Sequence, residues 1–188
     1  MAVGKSRAFG GKRRDSIRAI YVTPRPGRRS LGWLRAGSLL LPVALGRAGV
    51  RANKREGDGS TPRGKFRPVR LWWRSDRSVR PRTLLPISRI GPTDAWCEDP
   101  ADRRYNRAFR RGRAEAGDRL WRDDRLYDVI VEIDHNARPR VAGRGSAVFL
   151  HIARPGFAPT AGCVALSSPA MRMLVKRLSR KTRIVIHN

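Results

Sequence analysis

Residues 144–166 read Arg144-Gly-Ser-Ala-Val-Phe-Leu-His151, then Ile-Ala-Arg-Pro-Gly-Phe-Ala-Pro159, then Thr160-Ala-Gly-Cys163-Val-Ala-Leu166. The run Ala147–Leu150 is apolar and lies between Gly145 and the Arg154-Pro155-Gly156 turn, the pattern of a buried strand that delivers His151 at its exit. A second apolar run, Cys163–Leu166, opens just after Gly162. Two such strands joined by one tight loop can bring an imidazole within hydrogen-bond reach of a thiol. A free thiol is only a few per cent ionised near neutral pH, and a neighbouring imidazole can take its proton. Gly162, with no side chain, would let a substrate carbonyl approach the backbone, where N–H groups near Gly162 and Cys163 could hold an oxyanion. On the residues alone a second reading stands beside this one. A lone cysteine in a strand is commonly a small buried hydrophobe, and a lone histidine at a strand end is commonly structural.

Outward from this stretch, the chain reads mainly as strands. Tyr127–Asp134 carries Val129, Val131 and Ile133 against Ile130, a strand buried on both faces and closed by a His135-Asn136 turn. After Leu166, Ser168-Pro169 reads as an N-cap and first-turn proline. Met171, Leu174, Val175 and Leu178 then recur at helical spacing. Thr182–Ile186 is a final strand. In the first half, Ile17–Thr23 reads as a strand ended by the Pro24–Arg29 turn, and Leu31–Leu45 as a hairpin around Arg35-Ala36-Gly37-Ser38. Lys65–Trp73 reads as one strand fed by the turn cluster before it. The fold class is therefore mainly β with few helices (α+β). Residues 1–15 form a basic tail expected to be disordered, and 16–188 form one domain.

Residues 74–125 are polar, and in this part of the chain the aromatics Trp72, Trp73, Trp96, Tyr105, Phe109 and Trp121 stand among arginines. Basic residues interleaved with aromatics can stack nucleobases, line a groove for sugar and peptide chains, or pack under a long loop. We read about 74–125 as an insertion that caps the site, because so long a stretch without regular structure is unusual unless functional. Gly59-x-x-x-x-Gly64-Lys65 nearly fits a phosphate loop but fails at Phe66, which has no hydroxyl for a magnesium ion.

The net charge of +27 comes from arginine, since only six of the 42 basic residues are lysine. Such a field favours anionic partners, among them nucleic acid, acidic wall polymers and lipid surfaces, although scattered arginines also follow from a GC-rich coding bias. The two cysteines, Cys97 and Cys163, have no C-x-x-C spacing, which argues against a zinc site built with His135 or His151. A Cys97–Cys163 disulfide, which would silence the thiol, stays open beside Cys97 as a buried thiol or a pocket-wall residue. The longest apolar region, Ala36–Val50, is interrupted by Pro42, Gly46 and Arg47, so no transmembrane segment is expected; residues 1–20 lack the apolar stretch of a signal peptide.

The stretch Ser146-Ala-Val-Phe-Leu-His151 followed by Pro159-Thr-Ala-Gly-Cys163-Val-Ala-Leu resembles the catalytic signature of the L,D-transpeptidase (YkuD) domain family. In that family an upstream histidine precedes a Ser/Thr-His-Gly-Cys-hydrophobic-Asn/Arg motif. His151 matches the upstream histidine, Thr160 the hydroxyl residue, Gly162 the glycine and Cys163 the nucleophile. Two positions depart from the common form: Ala161 replaces its second histidine, and Ala165 its frequent Asn or Arg. A divergent subgroup carries Thr-Ala-Gly-Cys-Val-Ala as here. Gly57–Phe66 also resembles the family's Gly-x-x-x-Thr-Pro-x-Gly-x-Phe stretch.

The resemblance implies a YkuD-like β-sandwich with a capping insertion and one helix after the cysteine. It implies a cysteine acyltransferase acting on peptidoglycan stem peptides. Cys163 would be the nucleophile, His151 the base, Gly162 the oxyanion position, and Thr160 a residue orienting His151 or the substrate. The thioester would pass to a second stem, giving a 3→3 cross-link, or to a protein amine. No metal or organic cofactor is required. The implied location is the periplasm or cell envelope; with no visible signal peptide, the cytoplasm stays open. The alternatives are an L,D-carboxypeptidase or endopeptidase, and a non-enzymatic basic protein that binds nucleic acid or an anionic wall polymer. Nucleic acid ranks below peptidoglycan as a partner.

Overall fold

The computed structural model describes residues 16–112 and 115–188, so the expected basic tail at 1–15 lies outside the described residues. The chain opens as an antiparallel meander of β1 (Ala19–Arg25), β2 (Arg28–Ala36) and β3 (Leu39–Ala44). Its hairpins turn at Gly27 and Gly37, both with positive φ. The first predicted strand thus begins and ends two residues later than its pattern suggested, and the predicted hairpin forms around Gly37-Ser38. Short strands follow: β4 (Val50–Arg51), β5 (Thr61–Pro62) and β6 (Gly64–Phe66), then β7 (Pro68–Trp73) and β8 (Ile87–Arg89). Next come β9 (Asp94–Trp96), β10 (Ala108–Arg110), β11 (Asp118–Arg119), β12 (Val129–Ile133) and β13 (Phe149–Ile152). The chain ends with β14 (Val164–Leu166), the helix α1 (Ser168–Val175) and β15 (Arg183–Ile186).

Ten of these strands form one sheet in the order β6-β15-β1-β2-β3-β14-β13-β12-β7-β8. The predicted single strand Lys65–Trp73 is in fact two. β6 lies at one edge of the sheet and β7 second from the other, and only Arg67 separates them. Two residues of chain span at most about 7 Å, so the sheet must curl until its two ends meet. The break at Arg67 is held by Asp134, whose carboxylate accepts from Arg67 N–H at 2.7 Å while its own N–H donates to the Arg67 carbonyl at 3.0 Å.

Alternation along the central strands sorts their side chains into two layers. Leu71, Val131, Leu150 and Val164 enter the larger apolar cluster together with Met171 and Leu174 of α1. Ile130, Phe149 and Cys163 enter a second cluster on the opposite face, completed by Trp96, Leu120 and Tyr127. α1 follows the predicted apolar spacing: Met171, Leu174 and Val175 are buried, as is Leu178 just beyond. Its N-cap is Ser167, one residue earlier than predicted, and the Ser167 hydroxyl accepts from Ala170 N–H.

Residues 74–125 are not structureless. β8 extends the main sheet, while β9, β10 and β11 form a three-stranded sheet with β9 in the middle. Leu120 and Trp96 from this small sheet seat on Phe149, with the Trp96 and Phe149 rings edge to face at 5.0 Å. The remaining aromatics are committed within the protein. Trp73 and Tyr105 are buried, Arg74 lies over Trp121 at 3.5 Å, and Arg104 lies over Phe109 at 4.5 Å. Arg74 and Arg104 thus cover ring faces of Trp121 and Phe109 on which a base could otherwise stack.

Candidate active site

β13 and β14 run parallel, with Leu150 opposite Val164 and His151 opposite Ala165. Cys163 precedes β14, so it lies two positions back from Ala165 and shares a sheet face with His151. In a sheet such diagonal neighbours are about 7–8 Å apart at the backbone, within the reach of their side chains. His151 and Cys163 line one cavity of about 470 Å3, together with Ser146, Tyr127, Thr160 and Gly162.

Cys163 belongs to the second apolar cluster and is 7 % exposed. Cys163 Sγ–H donates to the Ala147 carbonyl at 3.2 Å, and Phe149 N–H donates to the sulfur at 3.4 Å. His151 Nδ1 lies 2.8 Å from the Ile152 carbonyl. A carbonyl can only accept, so the proton sits on Nδ1 and Nε2 keeps its lone pair. The anticipated hydrogen bond between thiol and imidazole is not made: the thiol donates to the Ala147 carbonyl instead, and Nε2 keeps its lone pair. Burial pushes the Cys163 thiol up to about 12 and the His151 imidazole down to about 4. The resting pair is therefore neutral. The Tyr127 ring stands edge-on to His151 at 5.4 Å, and its hydroxyl donates to Asp118 at 2.7 Å.

Thr160 does something other than orient His151. Its hydroxyl donates to the Cys163 carbonyl at 2.7 Å and accepts from Gly162 N–H at 3.1 Å, closing the turn that presents the cysteine. The Gly162 N–H is thus already engaged, while the Cys163 N–H takes no part in the turn. The close approach anticipated at Gly162 also proves to involve the protein itself. A Cβ there would meet the Ser60 carbonyl at 2.8 Å, and φ is +153°. Ser60 belongs to the Gly57–Phe66 stretch, whose Thr61 hydroxyl accepts from Gly46 N–H at 2.8 Å. Thr160 in turn bonds across to Leu45 and Arg47 at 2.9 and 3.0 Å. The two stretches singled out in the sequence, 57–66 and 160–166, therefore brace each other.

A search of the curated proteins and of the solved structures finds no match. The YkuD family, the L,D-transpeptidase catalytic domain, matches residues 19–186. The chain belongs to this family. The YkuD match accounts for a mainly β fold with one helix, and for L,D-transpeptidase-type acyl transfer on peptidoglycan by a cysteine enzyme. No helix among the described residues is long and apolar enough to cross a membrane. Cys97 and Cys163 are both free thiols, so the disulfide considered above does not form. Cys97 is buried in the small sheet's surroundings, where its backbone pairs with Asn106 and Arg107. His135 acts as a turn residue: its Nε2 lies 3.1 Å from the Arg144 carbonyl.

Several site residues escaped the sequence reading. Lys54 is 6 % exposed, lines the cavity and is bound to Asp58 at 2.6 Å. Burial would raise Asp58, yet Lys54 and the N–H and O–H donors around it hold its carboxyl well below the usual carboxylate range. Asn106 is a second such residue. Its carbonyl oxygen accepts from Trp96 Nε1 at 3.0 Å and from Ala147 N–H at 3.3 Å, and its amide donates to His135 and Asn136 carbonyls. It thereby ties the small sheet to the strand carrying His151. The partners of Asn106 lie 10 to 41 positions away in sequence, whereas Lys54 pairs locally with Asp58 and only the fold puts it in the cavity wall.

Proposed function

We propose that residues 16–188 form a catalytic domain in which Cys163 is the nucleophile and His151 the general base, with 74–125 as its cap. The observation that carries this reading is the shared cavity: the Cys163 sulfur and a His151 imidazole whose Nδ1–H is tied back face the same space. The substrate is a peptidoglycan stem peptide with an amide between an L- and a D-centre. The sulfur attacks that carbonyl while its proton passes to His151 Nε2, and the imidazolium then protonates the leaving D-amine. The Cys163 N–H, with Gly162 N–H shared from Thr160, stabilises the oxyanion, at about 3–4 kcal/mol for each such donor. The buried Lys54 ammonium adds favourable charge nearby. Since both resting groups are neutral, thiol deprotonation accompanies carbonyl attack rather than preceding it. The thioester then passes to an acceptor amine, forming a 3→3 cross-link or a bond to a protein amine, with water as the competing acceptor. The work is done in the cell envelope.

The test is incubation of the reduced full chain with a stem tetrapeptide, with and without an amine acceptor, followed by mass analysis of products. Release of the terminal D-residue together with an amine-linked product, lost in Cys163→Ala, supports acyl transfer. Release that proceeds equally well with water alone would make the protein a hydrolase. No release would count against the reading.

A further inference from the structure

The wall of the catalytic cavity is nearly balanced in charge, with four Lys or Arg side chains against three carboxylates. A second cavity, of about 620 Å3, is not. It is lined by Arg77, Arg80, Arg82, Arg125, Arg172 and Lys176 against a single carboxylate, Asp128, which Arg77 binds at 2.8 Å. Five exposed cations are left around one space. In a chain of charge +27 a basic surface is ordinary, so the floor of this cavity decides what it takes. That floor is Val129, Ile152, Met171 and Val175, which belong to the larger apolar cluster or pack against it. A hydrated inorganic anion gains nothing from such a floor. An amphiphilic anion does, with its charge at the rim and its hydrocarbon below.

The lips of the cavity carry the same combination. One wall is the stretch 77–82, where Val79 is 90 % exposed among Arg77, Arg80 and Arg82. The other is α1. Val79, Leu84 just beyond that stretch and Met173 of α1 are three of the six large apolar side chains exposed among the described residues. Apolar side chains standing out among cations suit the boundary between headgroups and acyl chains. The position in the fold matters too. Ile152 and His151 are successive residues of β13, so their side chains leave opposite faces of the sheet. The basic cavity opens on the face of the larger cluster and the catalytic cavity on the other.

We infer that the cavity between residues 77–82 and α1 docks the protein on an anionic phospholipid surface. The five free cations take headgroup phosphates, Val79 and Met173 enter the hydrocarbon boundary, and the apolar floor receives the upper part of one acyl chain. Docked in this way, the domain turns its catalytic cavity away from the bilayer. The inference stands apart from the acyl-transfer reading, because its test measures binding alone.

Co-sedimentation of the reduced full chain with vesicles is that test. Phosphatidylcholine vesicles holding about 30 mol % phosphatidylglycerol should bind the chain about tenfold more tightly than phosphatidylcholine alone, at about 0.15 M salt. Arg80→Glu combined with Lys176→Glu should weaken binding to the anionic vesicles about tenfold, and Val79→Ser severalfold. Arg28→Glu combined with Arg35→Glu makes the same charge change at exposed positions outside the cavity and should weaken it less than about threefold. Circular dichroism establishes that each variant is folded. Equal losses from the two charge-reversed pairs, or an unchanged affinity in Val79→Ser, would overturn the docking site and leave a diffuse basic surface. Glycerol phosphate, the headgroup without its chains, should fail to displace the vesicles at matched phosphate concentration. Displacement by it would make the cavity a site for a free phosphate and overturn the lipid assignment.

Discussion

The two faces of β13 differ by one residue step and do different work. Leu150 points into a cluster that is apolar throughout, against Val131, Val164 and the helix residues Met171 and Leu174. Phe149 and His151 point the other way, into aromatic edges from Trp96 and Tyr127 that give way to Asp118, Lys54 and the cavity. The first face stabilises the sheet. The second holds a neutral thiol and a neutral imidazole at the boundary between an apolar cluster and a charged hollow.

Substitutions should separate the two faces. Cys163→Ala should abolish acyl transfer and His151→Gln should lower it by about 10²–10⁴-fold, with each variant folded by circular dichroism. A His151→Gln rate within threefold of the parent would remove the imidazole from the chemistry. On the other face, Leu150→Ala should cost about 2–5 kcal/mol in denaturant unfolding while the protein that remains folded still acylates. Loss of acylation in the folded fraction would mean the layers are coupled.

Acid should reach the second face first. Burial lowers His151 from 6.5 to about 4, so the unfolded chain binds the extra proton in that window. The contribution is complete above pH 6.5 and disappears as pH falls toward 4, about 3 kcal/mol in all. Unfolding midpoints against pH should show this slope in the parent and lose it in His151→Gln; equal slopes would contradict a buried neutral imidazole. A smaller effect belongs to the turn. Gly162→Ala brings a Cβ against the Ser60 carbonyl, built at 2.8 Å, and should cost about 1–3 kcal/mol with a larger loss of activity than of stability.

What could be read beforehand was what is local. The runs at 147–150 and 163–166, the hairpin at Gly37 and the spacing of Met171, Leu174 and Val175 carry their own periodicity, and each became the element it predicted with ends shifted by one to three residues. The split at Arg67 was not legible, because Phe66 and Pro68 continue one apolar pattern and only their partners, β15 and β12, pull them apart. Nor was the small sheet of β9, β10 and β11, whose strands run only two or three residues each. Its tie to the site is made by Asn106, which bonds to Ala147 across 41 positions. The Thr160 hydroxyl was assigned to the histidine or the substrate, but the nearest groups competing for it were the Cys163 carbonyl and the Gly162 N–H, three and two residues away.

The central claim is that the Cys163 sulfur, inert while the cavity is empty, becomes the nucleophile once an acyl donor fills it. Intact-mass analysis of the reduced chain tests this by exposing it at neutral pH to iodoacetamide and, separately, to a carbapenem as acyl donor. The account predicts slow alkylation of Cys163 by the first and a stoichiometric adduct on Cys163 from the second, absent in Cys163→Ala and slowed in His151→Gln. An unmodified Cys163 after carbapenem treatment of the folded, reduced protein would contradict it.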